Sequence, residues 1–137
     1  MESARRIVLG ALTGAALGAL FLGLGGRIVM RLLALLIARD GDFSVGGSLE
    51  VIAYGAIVGS VSGATYAVLR PHIRVFWWVQ GIVLGALTFA GTIATLPPHI
   101  AETARPFEGQ MTIVLALFGL CFALFGLALA RLLLPRR

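Results

Sequence analysis

Four apolar runs alternate along the chain with short stretches that carry almost all of its charge. A membrane-spanning helix needs about 20 mostly apolar residues, because the hydrocarbon layer is about 30 Å thick and a helix rises about 1.5 Å per residue. Residues 7–26, 49–69, 75–96 and 111–130 meet that requirement, and each run is uncharged in its central part. The breaks between them hold turn-forming residues: Asp40-Gly41-Asp42 with Gly46-Gly47, then Arg70-Pro71-His72, then Pro97-Pro98 with Arg105-Pro106. The pattern predicts an all-α polytopic membrane protein, a single four-helix transmembrane domain over 1–137. Arg5-Arg6 ahead of the first run suggests a signal peptide. The run is longer than an ordinary signal core, though, and no small-x-small cleavage site follows it. It reads as a retained first helix.

The stretch from Gly25-Gly26-Arg27 to Arg39 breaks the simple alternation. The first run has crossed the membrane by Gly26, yet the next dozen residues stay apolar apart from Arg27, Arg31 and Arg39. Such a segment cannot stand free in water. It is expected as an amphipathic segment after helix 1, lying at the outer interface or tucked back as a re-entrant piece, with the glycine pair as the bend. One straight, strongly tilted helix is the other arrangement the pattern allows.

Composition narrows the class further. Apolar residues make up 59% of the chain and charged ones 12%, against about 25% charged in a soluble domain. Mean hydropathy is +1.00. These values exclude a disordered chain and a soluble nucleic-acid binder, although the net charge is +5. All 11 basic residues are arginine, and most flank the apolar runs. Seven of them (Arg5, Arg6, Arg70, Arg74, Arg131, Arg136, Arg137) fall on the side of both termini, and four (Arg27, Arg31, Arg39, Arg105) on the other. By the positive-inside rule both termini are cytoplasmic, as in a bacterial inner-membrane protein, and Trp77 and Trp78 beside Phe76 form an inner interfacial anchor. Cys121 is the only cysteine, so no intramolecular disulfide and no cysteine-based zinc site can form.

Packing signals outnumber chemical ones. Gly10, Gly14 and Gly18 recur every four residues, as do Gly55, Gly59 and Gly63 in the second run. A four-residue spacing stacks them on one helix face, where small residues let backbones come close. Runs one and two are expected to pack on each other or on copies of themselves, with Gly81 and Gly85 a shorter version in run three. Leu9-Gly10-Ala11-Leu12-Thr13 recurs as Leu84-Gly85-Ala86-Leu87-Thr88, a hint of a two-helix repeat. Phe118, Phe122 and Phe125 mark one face of run four, as core or lipid-facing bulk or as a stacking platform. Thr88, Thr92 and Thr95 are expected to bond back to their own helix.

The candidate polar site is Arg27, Arg31 and Glu50. The arginines are one turn apart, and a carboxylate at the membrane boundary costs free energy unless paired. Glu50 is therefore expected to meet one of them, either as a salt bridge fixing the segment to run two or as the counter-ion of an anion site. His72 and His99 fall on opposite sides, and no Ser/His/Asp set, phosphate loop or dinucleotide fingerprint is present. The expectation is no enzyme, no metal and no cofactor.

Gly-Gly-Arg-Ile-Val-Met-Arg-Leu-Leu-Ala-Leu at 25–35, Phe43-Ser44-Val45-Gly46-Gly47-Ser48-Leu49 and the glycine-spaced second run resemble small bacterial four-helix integral membrane proteins of unknown function. That resemblance covers most of the chain and implies no activity. Gly25-Gly26 with Arg31, and Gly47-Ser48-Leu49 with Gly55, also resemble the four-helix fluoride channels, which work as antiparallel dimers. Ile52 stands where those channels are expected to carry a pore asparagine, and Thr88-Phe89-Ala90-Gly91-Thr92 replaces their Thr-Thr-Phe-Ser-Thr. The leading expectation is a non-enzymatic protein acting through helix packing, in contact with the lipid bilayer and with other membrane subunits or copies of itself, and with no nucleic acid. The rival is a small oligomeric channel or transporter for an anion.

Overall fold

The computed structural model describes residues 2–36, 45–73, 75–95 and 109–133. They are all helical apart from short connections: α1 (Glu2–Leu17), a π-helical turn (Gly18–Leu24), α2 (Gly25–Leu36), α3 (Val45–Leu69), a 3₁₀ turn (Arg70–His72), α4 (Trp77–Ala94) and α5 (Met111–Leu132). Four helices are long and apolar enough to cross a membrane: Ser3–Leu36, Gly46–His72, Trp77–Ala94 and Met111–Leu132. The four apolar runs of the sequence therefore each form one helix.

The first helix is longer than its apolar run implied. Through Leu36, the residues expected as a separate interfacial or re-entrant piece continue the same helix, 34 residues in all; residues 37–39 lie outside the described residues. At about 1.5 Å per residue that is about 51 Å, well beyond the hydrocarbon thickness. Gly25-Gly26 do not turn the chain, because both have helical neighbours and a contact to make. A Cβ on Gly25 would lie 3.4 Å from Cys121 Sγ, and one on Gly26 would lie 3.5 Å from Phe118 of α5. Gly26, Val29 and Leu33 are the buried face of α2. Gly46 and Gly47, placed in a break by the sequence, belong to the first turn of α3.

The molecule consists of two antiparallel helix pairs, α1 on α3 and α4 on α5, with lesser contacts between the pairs. In the first pair Gly10 meets Gly63, Gly14 meets Gly59 and Gly18 meets Gly55. Each missing Cβ points at the opposing carbonyl oxygen, so any side chain there would strike backbone. This is the geometry in which Cα–H···O contacts form between helices.

The π turn keeps this ladder going. The N–H of Gly25 reaches the carbonyl of Leu20, five residues back. A helix of 3.6 residues per turn drifts off a four-residue stripe, and one wide turn brings the next small residue back onto it. That residue is Gly23, five after Gly18, where a Cβ would lie 2.7 Å from Ile52 Cα.

In the second pair Gly81 and Gly126 approach reciprocally, while Gly85 meets the backbone of Phe122 and Ala123. The core lies between the pairs: Leu22, Tyr66, Phe122, Phe125, Leu129 and Ala130 are buried, and Leu17, Phe21, Val58, Leu84 and Phe89 pack against them. Phe122 and Phe125 are thus interior bulk, with Phe89 5.1 Å from Phe122 between ring centres.

Candidate functional site

Charged and amide side chains gather at the two ends of the bundle, and glycine holds its middle. At the end formed by α2 and the start of α3, the half-buried Arg27 donates from Nε (3.1 Å) and Nη2 (2.7 Å) to Ser48 Oγ. Arg31, one turn on, is exposed and takes part in interactions of its own. Glu50 is exposed, and no hydrogen bond or ion pair among the described residues joins it to either arginine. Helical geometry gives the reason. Residues two apart point to different faces, so when Ser48 faces α2, Glu50 turns outward along with Tyr54, which is also exposed. The structure thus brings Arg27 to α3, as the sequence suggested, but through a serine rather than the carboxylate.

The middle of the bundle offers few polar atoms, and the hydrogen bonds there join hydroxyls to each other or to their own helices. Thr88 is buried and donates to the Leu84 carbonyl at 2.8 Å; Thr92 donates to the Thr88 carbonyl and Thr95 to that of Gly91. Ser62 Oγ and Thr88 Oγ1 are 3.2 Å apart, between the two pairs. Since the single Thr88 proton goes to Leu84, Ser62 is the donor in this contact.

The opposite end is richer, and sequence reading missed it. Tyr66 donates to Gln80 Oε1 at 2.7 Å, and Gln80 Nε2 donates to the Val75 carbonyl at 2.7 Å. That network ties the end of α3 to the start of α4. Arg70 donates from Nη1 to the Leu133 carbonyl, and the Arg131 guanidinium lies 5.2 Å from the Trp77 ring centre. Trp77 is therefore half-buried against an arginine, whereas Trp78 is exposed and stacks with Phe76 at 6.5 Å. A cavity of about 700 Å³ opens here, lined among others by Arg6, Arg70, Gln80 and Trp77. The beginning of α1 and the end of α5 both reach it, so these two helix ends lie at the same end of the bundle. One signal was available: Gln80 is the sole amide side chain inside any of the four apolar runs. A lone amide in an apolar helix needs a partner.

Among the described residues no three His, Cys, Asp or Glu side chains come together. Among the described residues, what the arrangement offers chemically is guanidinium groups at both ends of the bundle, a type of group that can donate hydrogen bonds to anions. No known family, curated protein or solved structure matches this chain.

Proposed function

We propose that this protein is an integral membrane protein of the bacterial inner membrane, with both termini cytoplasmic, that acts through helix packing as a non-enzymatic accessory subunit of a larger membrane complex. The observation that carries this reading is the closed interior. Glycine rungs fill the middle of each pair and largely aromatic and aliphatic residues fill the space between pairs, so the described residues form no polar path through one chain. What is left for function is the outer apolar surface. That surface carries small residues with room beside them: a Cβ on Gly91 of α4 or Gly119 of α5 would meet nothing within 4 Å.

The glycine stripes of the first helix and of α3 face each other within the chain, so assembly with other subunits falls to different faces, α4 and α5 among them. The anion-pathway reading of Arg27, Arg31 and Glu50 gains no support from a shared site, because Arg27 is held by Ser48 and Glu50 faces outward.

The deciding experiment is extraction in a gentle detergent followed by native mass spectrometry. A reproducible complex with other membrane proteins is the expected result. A pure homo-oligomer whose ion flux disappears on Arg31→Gln, with assembly intact, would replace this reading with the channel. Cytoplasmic labelling of a cysteine placed at Glu50 would overturn the orientation.

A further inference from the structure

The cavity at the end of the bundle where α3 gives way to α4 has a smaller neighbour. The cavity holds about 700 Å³ and has Arg70, Trp77 and Gln80 in its wall. Beside it lies an apolar cleft of about 160 Å³ between α3 and α4, walled by Val79, Val83, Leu84 and Leu87. Ile73, Val75 and Gln80 border both spaces. Val75, Val83 and Leu87 are exposed, so both spaces open on the outer surface and a chain can pass from one to the other over Val75. Hydrogen bonding decides which polar groups of the wall remain available. Gln80 accepts from Tyr66 at Oε1 and donates from Nε2 to the Val75 carbonyl, so both ends of its amide are engaged. Arg70 uses Nη1 on the Leu133 carbonyl. Among the described residues, its Nε and Nη2 and the indole Nε1 of Trp77 have no acceptor, and all three are donors. Arg6 also borders the cavity and is engaged in an interaction of its own.

We propose that the two spaces together bind one isoprenoid quinone, with its carbonyl oxygens on the donors of Arg70 and Trp77 and its tail in the cleft along α4. This rests on the reading of the chain as an integral membrane protein. Three observations select the class of ligand. Donors without acceptors call for a head that only accepts. A quinone carbonyl does so without carrying charge, so the pairing holds whatever balances the guanidinium. Trp77, with the Arg131 guanidinium 5.2 Å from its ring centre, gives the cavity a flat aromatic wall, which suits a flat ring. The cleft is walled by aliphatic side chains, and its 160 Å³ suits a single chain rather than the pair carried by a glycerophospholipid. From Val79 to Leu87 it follows about 12 Å of α4, at about 1.5 Å per residue. A mostly apolar site with a few placed polar groups is the usual form of a small-molecule pocket.

The test reads the fluorescence of Trp77, which a bound quinone quenches, in a Trp78→Phe background that removes the other tryptophan. Trp78 is exposed and lines neither space. A short-tailed ubiquinone is titrated into the detergent-solubilised protein, and so is the same ring without a tail. The expected result is saturable quenching by the tailed quinone, weakened about tenfold by Arg70→Gln and about tenfold by Val83→Phe with Leu87→Phe, which narrows the cleft. Ile57→Phe with Val61→Phe, a like enlargement at exposed α3 positions outside both spaces, leaves the quenching unchanged. The tail-less ring binds more weakly and does not respond to the cleft pair. Val83 and Leu87 are exposed, so the cleft pair reports on the site even if Arg70→Gln loosens the end of the bundle. Quenching that is absent, that never saturates, or that all three variants weaken alike would overturn the proposal. Displacement of the quinone by an equal concentration of oleate or phosphatidylglycerol would overturn it in favour of a lipid with a charged head. Alkaline carbonate extraction checks the membrane reading separately: release into the aqueous fraction refutes that reading whatever the quinone titration gives.

Discussion

The two helix pairs contain the same pentapeptide and use it differently. Leu9-Gly10-Ala11-Leu12-Thr13 lies in α1, where Gly10 meets Gly63. Leu84-Gly85-Ala86-Leu87-Thr88 lies in α4, where Gly85 meets the Phe122 backbone and Thr88 turns to Ser62 of the other pair. In the first pair three successive rungs are glycine on glycine, with backbone against backbone. In the second, one reciprocal glycine rung, Gly81 with Gly126, is followed by glycine against a residue that carries a phenyl ring. A short motif makes a glycine available for close approach; the opposing helix decides what approaches. The two copies therefore do not behave as one repeated unit.

The largest expected effect comes from filling a rung of the first pair. A leucine at Gly14 would collide with the carbonyl of Gly59 and the Cα of Gly63, and backbone cannot rotate away as a side chain can. Gly14→Leu or Gly59→Leu should cost more than about 3 kcal/mol, the upper part of the range for overpacking. Cys121 reports the result, because it is the only thiol and is half-buried opposite Gly25. Unfolding exposes it to a thiol-reactive fluorophore, so the labelling midpoint in a thermal or SDS titration should fall sharply. The same readout should barely move for Gly119→Ala, where a Cβ meets open space. If both variants behaved alike, close approach in the first pair would not be what holds it.

Much of this contrast was legible in the sequence. Four-residue glycine spacing in runs one and two gave a face on each helix but left open whether the faces meet each other or copies of themselves; the structure pairs them with each other. The second pair was half visible: Gly81 and Gly85 stood out, but Gly126 is flanked by Phe125 and Leu127 and belongs to no series. Its role depends on lying opposite Gly81, which is a property of the fold. The polar end failed for a different reason. Opposite charges drew attention to Glu50, while Ser48, two positions earlier and on another face, holds Arg27. Charge ranks candidate partners by strength, but helical phase decides which of them is within reach.

The π turn gives the next sharpest test, since its signal was also present and passed over. Gly10, Gly14 and Gly18 are four apart, and Gly23 follows after five. The extra residue is what the wide turn absorbs. Deleting the exposed Leu20 would restore four-residue spacing and let an ordinary α turn carry Gly23 onto the same face. Deleting the exposed Leu12 instead would shorten the Gly10–Gly14 spacing to three and rotate everything before it by about 100° off α3. Leu20 deletion should be the milder change by at least about 1 kcal/mol, and thiol labelling of Cys121 should rank the two. The reverse order would mean that the π turn serves a contact other than the glycine ladder.

The smallest effect belongs to the seam between the pairs. Ser62 donates to Thr88 Oγ1, and Thr88 keeps its own bond to Leu84 whether or not Ser62 is present. Ser62→Ala therefore strands no proton; it leaves one hydroxyl lone pair without a donor. Side-chain hydrogen bonds between membrane helices contribute about 0.6 kcal/mol on average, so the variant should shift the labelling midpoint only slightly. Thr88→Val removes the acceptor instead, and the freed Ser62 proton can turn to a carbonyl one turn earlier in its own helix, which keeps that cost equally low. A loss above about 2 kcal/mol from either substitution would exceed any single hydrogen bond measured for this kind of contact. It would mean that the two pairs depend on this hydroxyl contact for their mutual position, rather than on the packing of Leu22, Phe122 and Phe125 around it.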